Sequence, residues 1–113
     1  MHELTLAERA IGIVEAAARR AEARRVTRIR LAVGALAHVD ADSLQYCCEV
    51  VGRGTLAEGA QIVIERLPGR AWCRPCNASV VLERIGDACP LCAGHELDIT
   101  DGDQLQVLDI GVE

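Results

Sequence analysis

Cys73, Cys76, Cys89 and Cys92 form two CxxC pairs separated by twelve residues. Each pair can turn two sulfurs toward one point, and twelve residues suffice to fold the second pair back onto the first. This spacing suits tetrahedral coordination by four thiolates, the arrangement of structural zinc. Four sulfur donors leave no open position, so a metal held this way shapes the fold and does no catalysis. The roughly 30 residues around them fall below the ~40 at which an unaided core becomes workable. They carry the only Trp of the chain, no Phe and few large aliphatics. In such a stretch the metal-binding energy is largely the folding energy.

Two other chemistries compete for the same cysteines. Iron fits the same sulfur cage. Trp72-Cys73-Arg74-Pro75-Cys76 also resembles the thioredoxin redox motif, which needs a helix after the second cysteine to lower a thiol pKa. Here Asn77-Ala78-Ser79-Val80-Val81-Leu82 reads as a strand and a second CxxC follows, which favours metal binding.

The chain start is the second place where chemistry is available. Met1 and His2 offer an α-amine, a backbone amide and an imidazole within one short peptide, and the Glu3 amide supplies a fourth nitrogen. These donors close fused chelate rings, and tetragonal nitrogen ligation suits Ni(II) or Cu(II). Catalytic metal motifs are absent. His2-Glu3 opens an HExxH, but Leu6 stands where the second histidine is required. Neither CxxC pair has the PCxxC of zinc deaminases. No nucleophile elbow, phosphate-binding loop or dinucleotide fingerprint occurs, so no enzyme is expected. Cys47 and Cys48 read as small hydrophobes on a helix, and His38 as a surface residue. His95, three residues past Cys92, is either solvated or a labile metal ligand.

The chain has 113 residues, half of them hydrophobic, with a net charge of −5. One Tyr, one Trp and no Phe demand an aliphatic core. An acidic balance argues against general nucleic-acid binding. All twelve basic residues are Arg, and six fall between Arg19 and Arg30. That run reads as a solvated helix end and strand face, or as a docking patch for an acidic partner. No leader or membrane span is visible, and cysteines at metal-type spacing point to a reducing cytoplasm.

The elements that must position these groups follow from periodicity. Leu4, Ala7, Ile11, Val14, Ala18 and Ala21 line one face of a helix. Thr5 to Glu8 reads as its capping box, so the helix is expected to start near residues 4–6 and run to about Arg24. The residues before Thr5 are then free for ligation. Thr27, Ile29, Leu31 and Val33 alternate as a half-buried strand. Asp40 caps a second helix carrying Leu44, Cys47, Cys48 and Val51. Ile62–Ile64 mark a second strand, closed by the turn dipeptide Pro68-Gly69. Val80–Leu82 form a strand between the cysteine pairs, and a last strand lies near Leu105–Val112. The expected class is α+β: two helices packed on a small three-stranded sheet, with an inserted zinc-ribbon-like module. The expected domains are residues 1–69 plus 100–113, and residues 70–99.

Several of these stretches together resemble the HypA/HybF family of hydrogenase maturation nickel chaperones. They are Met1-His2-Glu3-Leu4 opening a helix, Arg28-Ile29-Arg30-Leu31-Ala32-Val33-Gly34, Arg53-Gly54-Thr55-Leu56-Ala57-Glu58-Gly59, and the paired CxxC. The resemblance covers essentially the whole chain. It implies a cytoplasmic nickel metallochaperone that binds transported Ni(II) through Met1, His2 and Glu3. Structural Zn(II) is implied at Cys73, Cys76, Cys89 and Cys92, with His95 as an accessory nickel ligand. The implied partners are a HypB-type GTPase and the large subunit of [NiFe]-hydrogenase, with a homodimer compatible and neither nucleic acid nor membrane involved. Cys47-Cys48 departs from the bulkier apolar pair of the family. The alternative reading is a zinc-ribbon interaction or nucleic-acid-binding module that uses the Arg19–Arg30 cluster.

Overall fold

The computed structural model of the chain describes residues 2–113; Met1, one of the expected nickel donors, lies outside them. The element order is α1 (His2–Arg20), β1 (Val26–Gly34), α2 (Ala41–Gly52), β2 (Gln61–Leu67), β3 (Gly69–Cys73), β4 (Ala78–Leu82), β5 (Leu97–Asp101) and β6 (Leu105–Val112). The strands form two three-stranded sheets, ordered β2-β1-β6 and β4-β3-β5. Two helices with two small sheets make this an α+β chain. It divides into two compact units, Met1–Ala32 with Val39–Glu65 and Gln106–Glu113, and Val33–His38 with Arg66–Leu105.

In the first unit, α1 buries Ala7, Ala10, Ile11, Val14 and Ala18, the face expected from the three-and-four spacing. From β1, Ile29 and Leu31 enter the core. Helix α2 packs on α1 and contributes Leu44 and Cys48. Its start is as read: the Asp40 carboxylate accepts the Ser43 N–H at 3.1 Å. On the central strand, Arg30 reaches Glu65 on β2 at 2.9 Å and Asp109 on β6 at 2.7 Å, so one guanidinium ties both neighbouring strands.

Both ends of α1 differ from expectation. The helix begins at His2 and runs through Thr5, so Thr5 is not its cap. Glu3 lies in the first turn, where the helix dipole favours a carboxylate. Its Oε2 also accepts the backbone N–H of Asp40 at 3.4 Å. That contact spans 37 residues, beyond the reach of any local capping pattern. The helix ends at Arg20 because Glu22 turns left-handed at φ 55°. There the Ala23 N–H returns to Ala18 O and the Glu22 N–H to Arg19 O, a Schellman closure. Such a position favours glycine. Glu22→Gly is therefore expected to stabilise the chain by about 1 kcal/mol, read by chemical denaturation.

Cys48 is buried to 1% exposure on α2. Burial, reinforced by the neighbouring Cys47 and Glu49 charges, pushes its thiol up to about 11. The folded state thus favours the protonated form. The stabilisation is complete below the thiol's ordinary value near 9 and is lost as pH rises toward 11. The expected loss is about 2 kcal/mol over that window. Urea denaturation should show it in the native chain and not in Cys48→Val.

In the second unit, β3 is the central strand. It pairs antiparallel with β4 from Gly69↔Leu82 to Cys73↔Ala78, and with β5 across a bulge between Arg70 and Ala71. The buried core is small: Leu36, Ala71, Cys73, Val80, Leu82 and Cys89. Two of its members are cysteines of the paired motif. Pro68-Gly69 does not make the expected turn; the chain runs from β2 into β3 through it. A β-carbon at Gly69 would overlap the Leu36 side chain, and one at Gly34 would overlap the Gly102 backbone. Glycine is thus needed here for close approach and not for a reversal. The Leu36 N–H bonds Gly102 O at 2.8 Å and the Ala35 N–H bonds Leu67 O at 2.8 Å. These bonds hold Leu36 in the core.

Candidate metal centre

Cys73 is the last residue of β3, and Cys76 is reached through a turn in which the Asn77 N–H bonds Arg74 O at 3.3 Å. Asn77 takes a left-handed conformation at φ 53° and the chain enters β4 directly. The helix that a thioredoxin-type dithiol requires is therefore missing after Cys76. Cys89 and Cys92 lie on a second turn. It is closed by Ala93 N–H to Cys89 O at 2.8 Å and by Cys89 N–H to Gly94 O at 2.7 Å. The Leu91 N–H points at the Cys89 sulfur at 3.4 Å.

The two turns bring all four sulfurs within 4.8 Å of one another. A Zn–S bond of about 2.3 Å sets a tetrahedral edge of about 3.8 Å between sulfurs. Cys73 Sγ and Cys92 Sγ stand 3.7 Å apart. The donor set and its spacing fit zinc. Electrostatics agrees. Hydrogen bonding with the Cys92 and Cys73 sulfurs pushes the Cys76 thiol up to about 12. Burial alone would raise Cys89, but the backbone N–H groups of Cys92 and Leu91 outweigh it and hold Cys89 at about 7. Thiols this close do not all ionise together without a cation, whereas a bound dication deprotonates its thiol ligands outright. Burial falls off across the cluster: Cys73 and Cys89 are buried, Cys76 is half-buried and Cys92 is exposed.

His95 does not join this group. It is exposed, and its carbonyl accepts the Leu97 N–H at 2.9 Å. His2 is exposed and Glu3 half-buried in the first turn of α1. The leading N–H groups of a helix have no intrahelical acceptor. The His2 and Glu3 amides therefore keep their availability although both residues are helical. The arginine run is partly consumed by ion pairs, Arg19 with Glu15, Arg25 with Glu113, and Arg30 as above.

A family model described as "Hydrogenase/urease nickel incorporation, metallochaperone, hypA" matches residues 1–112. The hydrogenase maturation factor HypA of Azotobacter vinelandii is 49% identical over the full length of both chains. The chain belongs to the HypA family. The HypA of Rhizobium leguminosarum bv. viciae is 44% identical over 99% of each chain. The solution structure of the Ni metallochaperone HypA from Helicobacter pylori shares the fold, with a TM-score of 0.74. It is 18% identical, with 97% of this chain and 96% of that chain covered. The Azotobacter and Rhizobium relatives are named as maturation factors. Among the described residues no helix is long and apolar enough to cross a membrane.

For a HypA-family chain, the residues missed by sequence reasoning are those that support the cysteines. Leu36 comes from the segment between β1 and α2, and β3 and β5 lie outside the strands that periodicity marks. The one available signal was Arg70-Ala71-Trp72-Cys73, whose alternation becomes legible only when β4 is placed beside it.

Proposed function

We propose that this chain binds Ni(II) at its N-terminus and delivers it during maturation of [NiFe]-hydrogenase, with Zn(II) as a structural ion in the cysteine cluster. The observation that carries this reading is the family match across residues 1–112, which includes both metal-ligating stretches. The nickel donors are the Met1 amine with the nitrogens of His2 and Glu3. His95 is the accessory nickel ligand in this reading. The first unit is the nickel-binding part and the second is the zinc-supported part. The nickel recipient is the hydrogenase large subunit, and a HypB-type GTPase is the partner in delivery. The chain works in the cytoplasm, where thiolates stay reduced.

The coordination chemistry explains why such a site delivers and does not store. His2 is exposed, so a partner can reach its imidazole and replace the ligands one at a time. The helix leaves the His2 and Glu3 amides without helical acceptors, so ligation breaks no helical hydrogen bond. Zinc, when bound to Cys73, Cys76, Cys89 and Cys92, supplies folding energy and holds the two turns together. With all four positions filled by sulfur it takes no part in transfer.

Nickel titration of the zinc-loaded protein tests the reading. One equivalent of nickel is expected to bind near neutral pH. The amine, the imidazole and the amides must lose protons to ligate, so affinity should fall by about tenfold per pH unit for each proton released. No uptake, or an affinity that does not change between neutral and mildly acidic solution, contradicts it. The accessory role of His95 predicts a smaller loss in His95→Ala than in variants of His2.

A further inference from the structure

We propose that the four-cysteine cluster is a peroxide-sensitive switch, in which Cys92 is the sulfur oxidised first and Cys73 is the sulfur that then pairs with it. The inference rests on reading the cluster as a zinc site. It comes from the uneven exposure of the four ligands. Cys73 and Cys89 are buried and Cys76 is half-buried, whereas Cys92 is exposed. Its neighbour Leu91 is exposed as well, at 69%. Oxidation of cysteine follows thiolate character and access, and a metal-bound sulfur is a thiolate. The outermost ligand is thus the one a small hydroperoxide meets first.

The partner for the next step is a sulfur already in contact with Cys92. Cys73 Sγ stands 3.7 Å from Cys92 Sγ, and the two belong to different CxxC pairs. Closing this pair therefore joins the two turns. The Cys92 thiolate attacks one peroxide oxygen, the O–O bond breaks, and a sulfenic acid and hydroxide result. The Cys73 thiolate then attacks the Cys92 sulfur, forming the S–S bond and displacing the second oxygen as hydroxide. The two sulfurs lose two electrons in total and the peroxide is reduced to water after protonation. Zinc loses two of its four ligands and is released. Because Cys73 and Cys89 are also core residues of the second unit, loss of the ion and rearrangement of Cys73 loosen that unit together. A dithiol reductant with added zinc reverses the change.

The experiment uses the native, zinc-loaded protein and hydrogen peroxide. Zinc release is followed with a chromogenic chelator, sulfenic acid is trapped with dimedone, and disulfides are mapped by peptide mass spectrometry. The expected result is dimedone first at Cys92, then a Cys73–Cys92 disulfide appearing in step with one released zinc, all reversed by reductant and zinc. First modification at Cys76 or Cys47, a Cys89–Cys92 pair as the main product, or zinc retained after oxidation overturns the proposal. Elemental analysis before oxidation separates the two levels. Protein purified without a four-sulfur metal removes the zinc reading itself, whereas zinc-loaded protein oxidised elsewhere removes only the switch.

Discussion

Cys76→Ser is expected to abolish stable zinc binding and to unfold the second unit while α1 and α2 stay folded. The reason lies in the size of the core that the cysteines complete. Among the described residues, Leu36, Ala71, Val80 and Leu82 are its buried members besides Cys73 and Cys89, with Leu97 and Cys76 packed partly buried against them. Four small or medium aliphatic side chains bury too little surface to offset the ordering of the strands around them. Structural zinc supplies about 10–16 kcal/mol of apparent binding energy in comparable small modules. Losing one thiolate removes a tetrahedral ligand and leaves three crowded sulfurs to repel or protonate. Hydrogen exchange resolves the outcome by segment. Residues 66–105 should lose protection and the helices, with a core of their own, should keep it. A strong chelator added to the native chain should produce the same pattern. Full protection in the variant without metal would show that the second unit folds unaided.

His2→Ala is expected to weaken nickel binding by about 100-fold or more, since even outer-shell partners of a metal site commonly account for 10–100-fold. The change removes the imidazole and leaves the helix, since alanine is the best helix former. Circular dichroism should therefore be unchanged while the nickel isotherm flattens. Glu3 behaves differently in this account. Its amide is the proposed nickel donor, whereas its carboxylate bonds the Asp40 backbone N–H at 3.4 Å. Glu3→Gln should keep most of the affinity, because the amide nitrogen remains. An equal loss in both variants would mean that the Glu3 carboxylate is itself a ligand.

The parts of the fold that depend on local pattern were legible in the amino-acid sequence. The buried face of α1, the Asp40 cap of α2 and the strands of the first sheet each follow from spacing that one element carries within itself. The cysteine cluster was legible for a related reason, since two CxxC turns need only fold onto each other. What escaped was decided by contacts distant in sequence. Helix α1 already includes Thr5, so the capping box there does not form, and Glu3 in its first turn bonds the Asp40 N–H 37 residues away. Strand β5 reads Leu-Asp-Ile-Thr-Asp, too polar to stand out, and exists because β3 offers it hydrogen bonds. Gly69 looked like a turn glycine beside Pro68, yet it is small because Leu36 presses on it. Arg30 looked like one of a basic run, and only the folded sheet shows that Glu65 and Asp109 claim it.

Calorimetric nickel titration of protein carrying a few extra residues before Met1, with the zinc content of both forms matched, tests whether the Met1 amine holds the nickel. The extension leaves His2, Glu3 and every cysteine in place and removes only the free amine from its position beside them. The native chain is expected to take up one equivalent of nickel and the extended chain none at the same concentrations. Stoichiometric uptake by the extended chain with native affinity would contradict it.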